Sequence, residues 1–354
     1  MSSSNLAVAE WHALRAVSLS PHNYKYRLTL ASVKEQQGDF QAAEQSLRQA
    51  TALAPFNATA RLRLAKLLAD EGRVPEAAAE FRRGTVTDPL SVEPTLDFVW
   101  RISKGDVRSL ESATNDDPRS QLLLAHFLRR QNLVSEAARV FGGIKDMALI
   151  DSPEGAGFLN DLLGAGHTKV THDLWLRLVG SDGATLVWNG SFEQDPFRNF
   201  THFDWRIESS DYARVAIDPG SAHTGSRSLR IDFLGRDTTL LRNELKQLLL
   251  VQPGSRYRLQ CYARAAGTIT APGPRVVVTG AKGSVPLGAS APIAAGANDW
   301  QLLTVDFLVP QSESEDVFAV VIGINRTPEF SYDDPTRGAV WFDDFTLTKV
   351  GDKR

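Results

Sequence analysis

The side chains able to do chemistry in this chain are scattered, and their spacing excludes more than it offers. The seven histidines (His12, His22, His126, His167, His172, His202 and His223) form neither an HExxH motif nor any other paired metal spacing. His167 and His172 stand five apart, off the i, i+4 step that puts two ligands on one helix face. GAGFLN at Gly155 lacks the third glycine and the preceding strand of a dinucleotide fingerprint, and TGSRS is no Gly-x-Ser-x-Gly elbow. One combination the chain does offer is what sugar binding would need, an aromatic ring for the apolar face of a sugar and nearby Arg, Asn, Asp or Gln for its hydroxyls. In YRLQCYARA, Tyr262 and Arg264 share the face opposite Leu259 and Cys261; if that face is the concave one, they line a binding groove together with Arg206 and Asn325. The alternatives for that face are a solvated sheet surface or a contact with the helical region. Phe330 and Tyr332, in PEFSYDDP, are loop-borne substitutes.

The bulk of the sequence sets the frame for these residues. With 354 residues, 42% hydrophobic and 23% charged, the chain is expected to form two ordinary domains with a sizeable core. A net charge of −3 gives no field that would draw nucleic acid or an anionic membrane surface. No apolar run of about 18 residues spans a membrane, and Met1-Ser2-Ser3-Ser4 has neither the basic nor the apolar region of a signal peptide. One cysteine, Cys261, excludes an internal disulfide framework and a multi-cysteine metal site; alternating with core residues, it reads as an inert buried thiol.

The first half carries an internal repeat. RLTLA (Arg27 to Ala31) returns 34 residues later as RLRLA (Arg61 to Ala65), and Gly38, Ala43, Leu47 and Pro55 return as Gly72, Ala77, Phe81 and Pro89. Small residues let two helices cross closely, the glycine ends the first helix and the proline follows the second. The pattern resembles the tetratricopeptide hairpin. Ala9, Ala13, Ala16 and Pro21 fit the second helix of a preceding repeat, so the first repeat reads as incomplete and a signal or anchor ahead of Met1 as lost. Residues 92–117 read as one irregular hairpin. QLLLAHFLRRQNLVSEAARVF restores the pattern with Ala125, Asn132, Ala137 and Phe141, and a last pair near 153–163 and 169–179 is expected to cap the array. Lys25, Leu28, Ser32, Thr59, Leu62 and Lys66 face the inner surface of such an array and form the candidate protein-binding groove.

From Thr185 the period changes to two. SLRIDF, YRLQCYARA, WQLLTVDFLV, VFAVVIGIN and VWFDDFTL alternate or are rich in β-branched and aromatic residues, and Pro-Gly turns separate them. Nine or ten short strands without helices predict an antiparallel sandwich or jelly roll. The expected fold is therefore α + β multidomain: an N-terminal α-solenoid over 1–182 and a β-sandwich over 183–354. VWNGSFEQ (Val187 to Gln194) is expected to open its first strand, with Asn189-Gly190 turning the chain in and Phe192 entering the core.

The collinear set WNGSFE, DW, HTGSRSLRI, VQPGSRYRLQCYAR, NDWQLLTVDFLVP and VWFDDFTL resembles a galactose-binding-like jelly roll, closest to the carbohydrate-binding modules of glycoside hydrolases, over about 185–350. In that family a structural Ca2+ often joins the Glu of the opening FE to an Asp of the closing DD, which here are Glu193 and Asp343. Strand alternation puts Asp344 on the other face, so that only Asp343 would ligate. Without a metal, Glu193 would cap a turn or pair with an arginine. The family keeps packing aromatics at the places of Trp205, Trp300 and Trp341. Joined to tetratricopeptide hairpins, the layout resembles bacterial envelope proteins of exopolysaccharide systems, which implies the periplasm or cell envelope as location; the single cysteine fits the cytoplasm as well, which stays the alternative. The function expected is a non-enzymatic adaptor, with helical repeats binding a protein partner and the jelly roll binding a polysaccharide. A purely structural assembly module is the alternative, and a glycan-active enzyme comes third because no acid–base pair can be assembled.

Overall fold

The structure is a computed structural model that describes all residues except 1–2, 182, 184, 243, 268–269, 283, 312–316, 331–334 and 352–354. Tyr332, and residue 182 at the expected domain junction, lie outside the described residues. Two compact units divide the chain, Met1–Leu149 and Ile150–Arg354.

The first unit holds α1 (Ser3–Leu19), α2 (Tyr24–Gln37), α3 (Phe40–Leu53), α4 (Ala58–Asp70), α5 (Val74–Thr87), α6 (Val92–Ile102), α7 (Val107–Ala113), α8 (Pro118–Arg130) and α9 (Val134–Phe141). A short α10 (Met147–Ile150) stands at the boundary. Helices pack as successive hairpins, α2 on α3, α4 on α5, α6 on α7 and α8 on α9, with α1 against α2. The repeat positions act as their chemistry dictates. Gly38 and Gly72 both adopt φ of +79°, a left-handed turn in which Asp39 and Arg73 donate back to the Lys34 and Leu68 carbonyls. Asn132, at φ +62°, makes the same turn after α8, where Leu133 donates to Leu128. Ala31, Ala43, Ala65, Ala125 and Ala137 are completely buried at the crossings, with Leu47, Phe81 and Phe141 packed among the helices.

The second unit begins with α11 (Pro153–Gly164) and α12 (Thr168–Leu178). Strands follow as β1 (Arg206–Ile207), β2 (Ala213–Asp218), β3 (Ser228–Leu234), β4 (Leu245–Val251), β5 (Arg256–Ala266), β6 (Arg275–Gly280), β7 (Pro286–Ala289), β8 (Asn298–Leu308), β9 (Phe318–Asn325) and β10 (Arg337–Val350). They form two five-stranded antiparallel sheets. Sheet A runs β1-β4-β9-β6-β7 and sheet B runs β2-β3-β10-β5-β8. The core between them holds Phe192, Trp205, Ile231, Leu259, Val278, Ile322 and Phe342. Alternation along β5 is as the sequence predicts: Tyr257, Leu259, Cys261 and Ala263 point in, while Arg258, Gln260, Tyr262 and Arg264 point out. Burial pushes the Cys261 thiol well above its usual range, which keeps it a thiol.

Two expectations change. The last helical pair does not belong to the repeat array. Trp175 of α12 lies edge-on to Phe197 at 4.5 Å and 5.6 Å from Phe200, while Asp151 accepts the amides of Arg198 and Asn199, so the pair is part of the sandwich unit. VWNGSFEQ is a turn, and the first strand is β1. Asn189 and Phe192 both take left-handed φ (+48° and +57°), which no extended strand accommodates. The turn lies against β10: Gly190 accepts the Phe345 amide at 2.9 Å, and a Cβ at position 190 would stand 2.2 Å from the Phe345 carbonyl. Phe192 is fully buried, as its place in the pattern requires.

Candidate functional site

The outward face of sheet A carries a groove of about 330 Å3 lined by Thr201, His202, Arg206, Lys246, Leu248, Thr279, Gly280, Ala281, Ser284 and Val321. Its walls are set by register. Arg206 on β1 faces Lys246 on β4, Lys246 faces Gly323 on β9, and Gly323 faces Val277 on β6. Gly323 puts no side chain into that row, and Leu248 and Val321 give the neighbouring row an apolar floor. The remaining wall is the loop before β1, held from both sides. The Leu248 amide donates to the His202 carbonyl at 2.8 Å, and α12 presses Trp175 and His172 onto Phe197, Phe200 and Phe203. Asp204 closes the loop by accepting the Phe197 and Trp205 amides, and its burial pushes its carboxyl up to about 6. Burial, together with the cations of Arg206 and Lys246, holds the His202 imidazole below its usual range. It is therefore neutral at pH 7, with a donor and an acceptor nitrogen.

The four residues read from the sequence as one glycan groove lie on two sheets. Arg206 and Asn325 are on sheet A, Asn325 opposite Arg275 and two positions from Gly323. Tyr262 and Arg264 are on the outer face of sheet B. That face is a layer of stacked side chains. His223 lies flat on the Tyr262 ring at 3.6 Å with 12° between the planes, and edge-on to half-buried Trp300 at 5.6 Å. The guanidinium groups of Arg230 and Arg264 cover the Trp341 ring at 5.1 and 5.3 Å, and Trp341 donates to Asp218. One face of Tyr262 is thus already occupied. Trp205 is a core residue, as its position in the family pattern implies, whereas Trp300 and Trp341 belong to this outer layer. Phe330 is exposed and is not among the residues lining the sheet A groove. Of the groove residues the sequence reading leaves out, Lys246 carries a signal, as the sole charge in LKQLLLV and at an outward position, whereas His202 and Thr279 carry none.

Glu193 and Asp343 grip one loop, the β2–β3 turn. Glu193 accepts the amides of Ser226 and Arg227 and the Ser226 hydroxyl; these bonds hold its carboxyl below the usual range. Gly225, at φ +68°, passes so close that a Cβ would stand 2.4 Å from Glu193 Oε1. Asp343 is fully buried and accepts the amides of His223, Thr224 and Asp344, and among the described residues it makes no ion pair. Burial, with the neighbouring charge of Asp344, pushes its carboxyl up to about 6. Asp344 does not turn away to another partner, contrary to strict alternation. A bulge between Asp343 and Thr346, with Asp344 at φ +53°, lets it bind His223 Nδ1 and Thr224 Oγ1 on the same loop, both at 2.7 Å. The donor types suit a hard cation, and Asp343 is a buried carboxylate without a counter-charge. Among the described residues no three His, Cys, Asp or Glu side chains form a group that could hold a metal ion, so a Ca2+ here would draw further ligands from backbone oxygens.

In the helical unit, the inner-surface residues differ in setting. Lys25 and Thr59 are exposed, the Leu28 carbonyl accepts from Ser32 and Arg63, and Leu62 packs toward Gly84. Lys66 lines a pocket of about 280 Å3 with Glu35, Phe40, Arg63, Leu67 and Asp70, where Arg63 and Glu35 form an ion pair at 2.9 Å.

Residues 28–91 match the family model of the tetratricopeptide repeat. No match is found among curated proteins. Among solved structures, the C-terminal part of the chain is similar to a family 16 carbohydrate-binding module, with 17% identity over 46% of this chain and 99% of that one and a TM-score of 0.31. It is likewise similar to a CBM4 structure, with 19% identity over 46% of this chain and 99% of that one and a TM-score of 0.32. An O-GlcNAc transferase of Thermobaculum terrenum is 23% identical over 35% of this chain and 23% of its own length, with a TM-score of 0.25. No helix of the described residues is long and apolar enough to cross a membrane.

Proposed function

We propose that the chain is a non-enzymatic adaptor in which the helical repeats dock a protein partner and the groove on sheet A holds a glycan, in a bacterial envelope or exopolysaccharide pathway. The observation that carries the glycan half is the groove itself: a preformed hollow with hydroxyl, imidazole, guanidinium and ammonium groups converging over an apolar floor. Its lining residues include no carboxylate, whereas glycoside cleavage ordinarily uses two flanking the bond. The repeat match over residues 28–91 supports the protein half, since stacked hairpins present extended binding surfaces. Filling the groove tests the reading. Thr279→Trp is expected to weaken retardation of the protein in polysaccharide-containing gels about tenfold, at an unchanged melting temperature. Tyr262→Ala, on the other sheet, is expected to leave it unaltered. Equal retardation of wild type and Thr279→Trp, or loss with Tyr262→Ala alone, overturns this placement.

Calcium belongs to the same reading as a structural accessory. Glu193 and Asp343 would hold it against the loop they already grip, and the ion would supply the counter-charge Asp343 lacks. Binding to the folded chain alone stabilises by RT ln(1 + [L]/Kd), about 2.7 kcal/mol at a hundred times Kd. Added Ca2+ is therefore expected to raise the melting temperature of EGTA-treated protein by several degrees. An unchanged melt with no metal in elemental analysis sinks the assignment and leaves the two carboxylates as loop clasps.

A further inference from the structure

The groove on sheet A has a one-sided charge that a neutral sugar does not require. Arg206 and Lys246 stand directly opposite each other on β1 and β4, on the outward face. Like charges at facing positions of an antiparallel pair destabilise the sheet. Among the described residues Lys246 makes no hydrogen bond or ion pair, while Arg206, which also lines the groove, engages Glu208 through Nε at 2.5 Å and makes no hydrogen bond through its terminal nitrogens. Exposed Arg275, opposite Asn325, adds a third cation along the same face. Glu244, just before β4, accepts the Arg242 amide. No phenyl, phenol or indole ring is among the lining residues. Stacking, the usual means of gripping an uncharged pyranose, is absent from those residues, and charge stands in its place. The chain as a whole carries −3, so attraction of an anion has to be local to this face.

We infer that the groove takes an acidic sugar unit of a polysaccharide, whose carboxylate or sulfate group answers Lys246 and Arg206. The inference rests on the glycan-binding reading above and names its ligand class. Thr201, Thr279 and Ser284 are left to meet the hydroxyls of the same ring, and about 330 Å3 admits one or two sugar units.

Affinity electrophoresis of the full chain in gels containing polygalacturonate, dextran sulfate, neutral dextran or duplex DNA tests it. Retardation by polygalacturonate or dextran sulfate, weakening steeply with salt, is the expected result, and which of the two acts identifies the anionic group. Lys246→Glu is expected to lower that affinity more than tenfold. Lys349→Glu, an equal change of charge on β10 of sheet B, is expected to leave it within twofold. Dextran binding as tightly as the acidic polymers overturns the inference while leaving the glycan reading intact; retardation by no polysaccharide overturns both. Retardation by DNA as strong as by the acidic polymers, or Lys349→Glu as damaging as Lys246→Glu, also overturns it, because the attraction would then be diffuse.

Discussion

Trp205→Ala is expected to lower the unfolding free energy of the sandwich unit by about 3–5 kcal/mol, the range for deleting a buried large aromatic. Trp205 is 1% exposed and sits 5.2 Å from Phe192 and 4.9 Å from Phe345, between the opening turn and the last strand. Removing it empties the point where the chain ends of the sandwich meet. Its Nε1 donates to the Asn189 carbonyl at 2.9 Å, but that oxygen also accepts the Phe192 amide, so the lost hydrogen bond is the smaller share. Trp205→Phe is accordingly expected to cost well under half as much. For a unit of this size each kcal/mol moves the midpoint by roughly 2–4 °C, so the alanine variant should melt roughly 6–20 °C lower in calorimetry. A drop below roughly 2 °C would mean that the ring contacts do not hold the turn to β10.

Trp175→Ala is expected to damage stability and the groove together. The ring is 1% exposed, packed on Phe197 and Phe200, in the loop whose next residues, Thr201 and His202, line the groove. Truncation should cost about 3 kcal/mol or more by the same cavity argument. It should also weaken polysaccharide retardation about tenfold, because the loop loses its packing on α12 and keeps the Leu248–His202 bond. Trp175→Phe separates the two causes. The indole Nε1 is buried with no hydrogen-bond partner among the described residues, so a phenyl ring removes an unmet donor and should keep both stability and binding near wild type. Binding that survives Trp175→Ala would show that the helix does not position the loop.

The repeat was legible because its requirements are local: a left-handed turn wants Gly38 or Asn132, and a close helix crossing wants small residues such as Ala31 and Ala43. The strands were legible because alternation in β5 reports a half-buried surface directly. VWNGSFEQ misled for the converse reason. Phe192 needs a left-handed backbone that only the surrounding core enforces, and no periodicity announces it. The site was half legible. Outward residues such as Arg206 and Tyr262 can be recognised one strand at a time, but the sheet that receives each strand depends on crossovers. β4 pairs with β1 and β9, and β5 with β8 and β10, all set by long-range packing. Asp344 shows the same limit at a single residue, since a bulge overrides alternation.

The docking of α11 and α12 also bears on how such a chain can be divided and recombined. Strand periodicity suggests a cut just after the helices, near residue 183. That cut would strip Phe197, Phe200 and Phe203 of the rings that cover them and leave an apolar scar on the liberated piece. The piece able to travel between proteins as an intact fold begins near Ile150 and carries its two helices with it. In this chain the portable part is a sandwich with its own helical buttress.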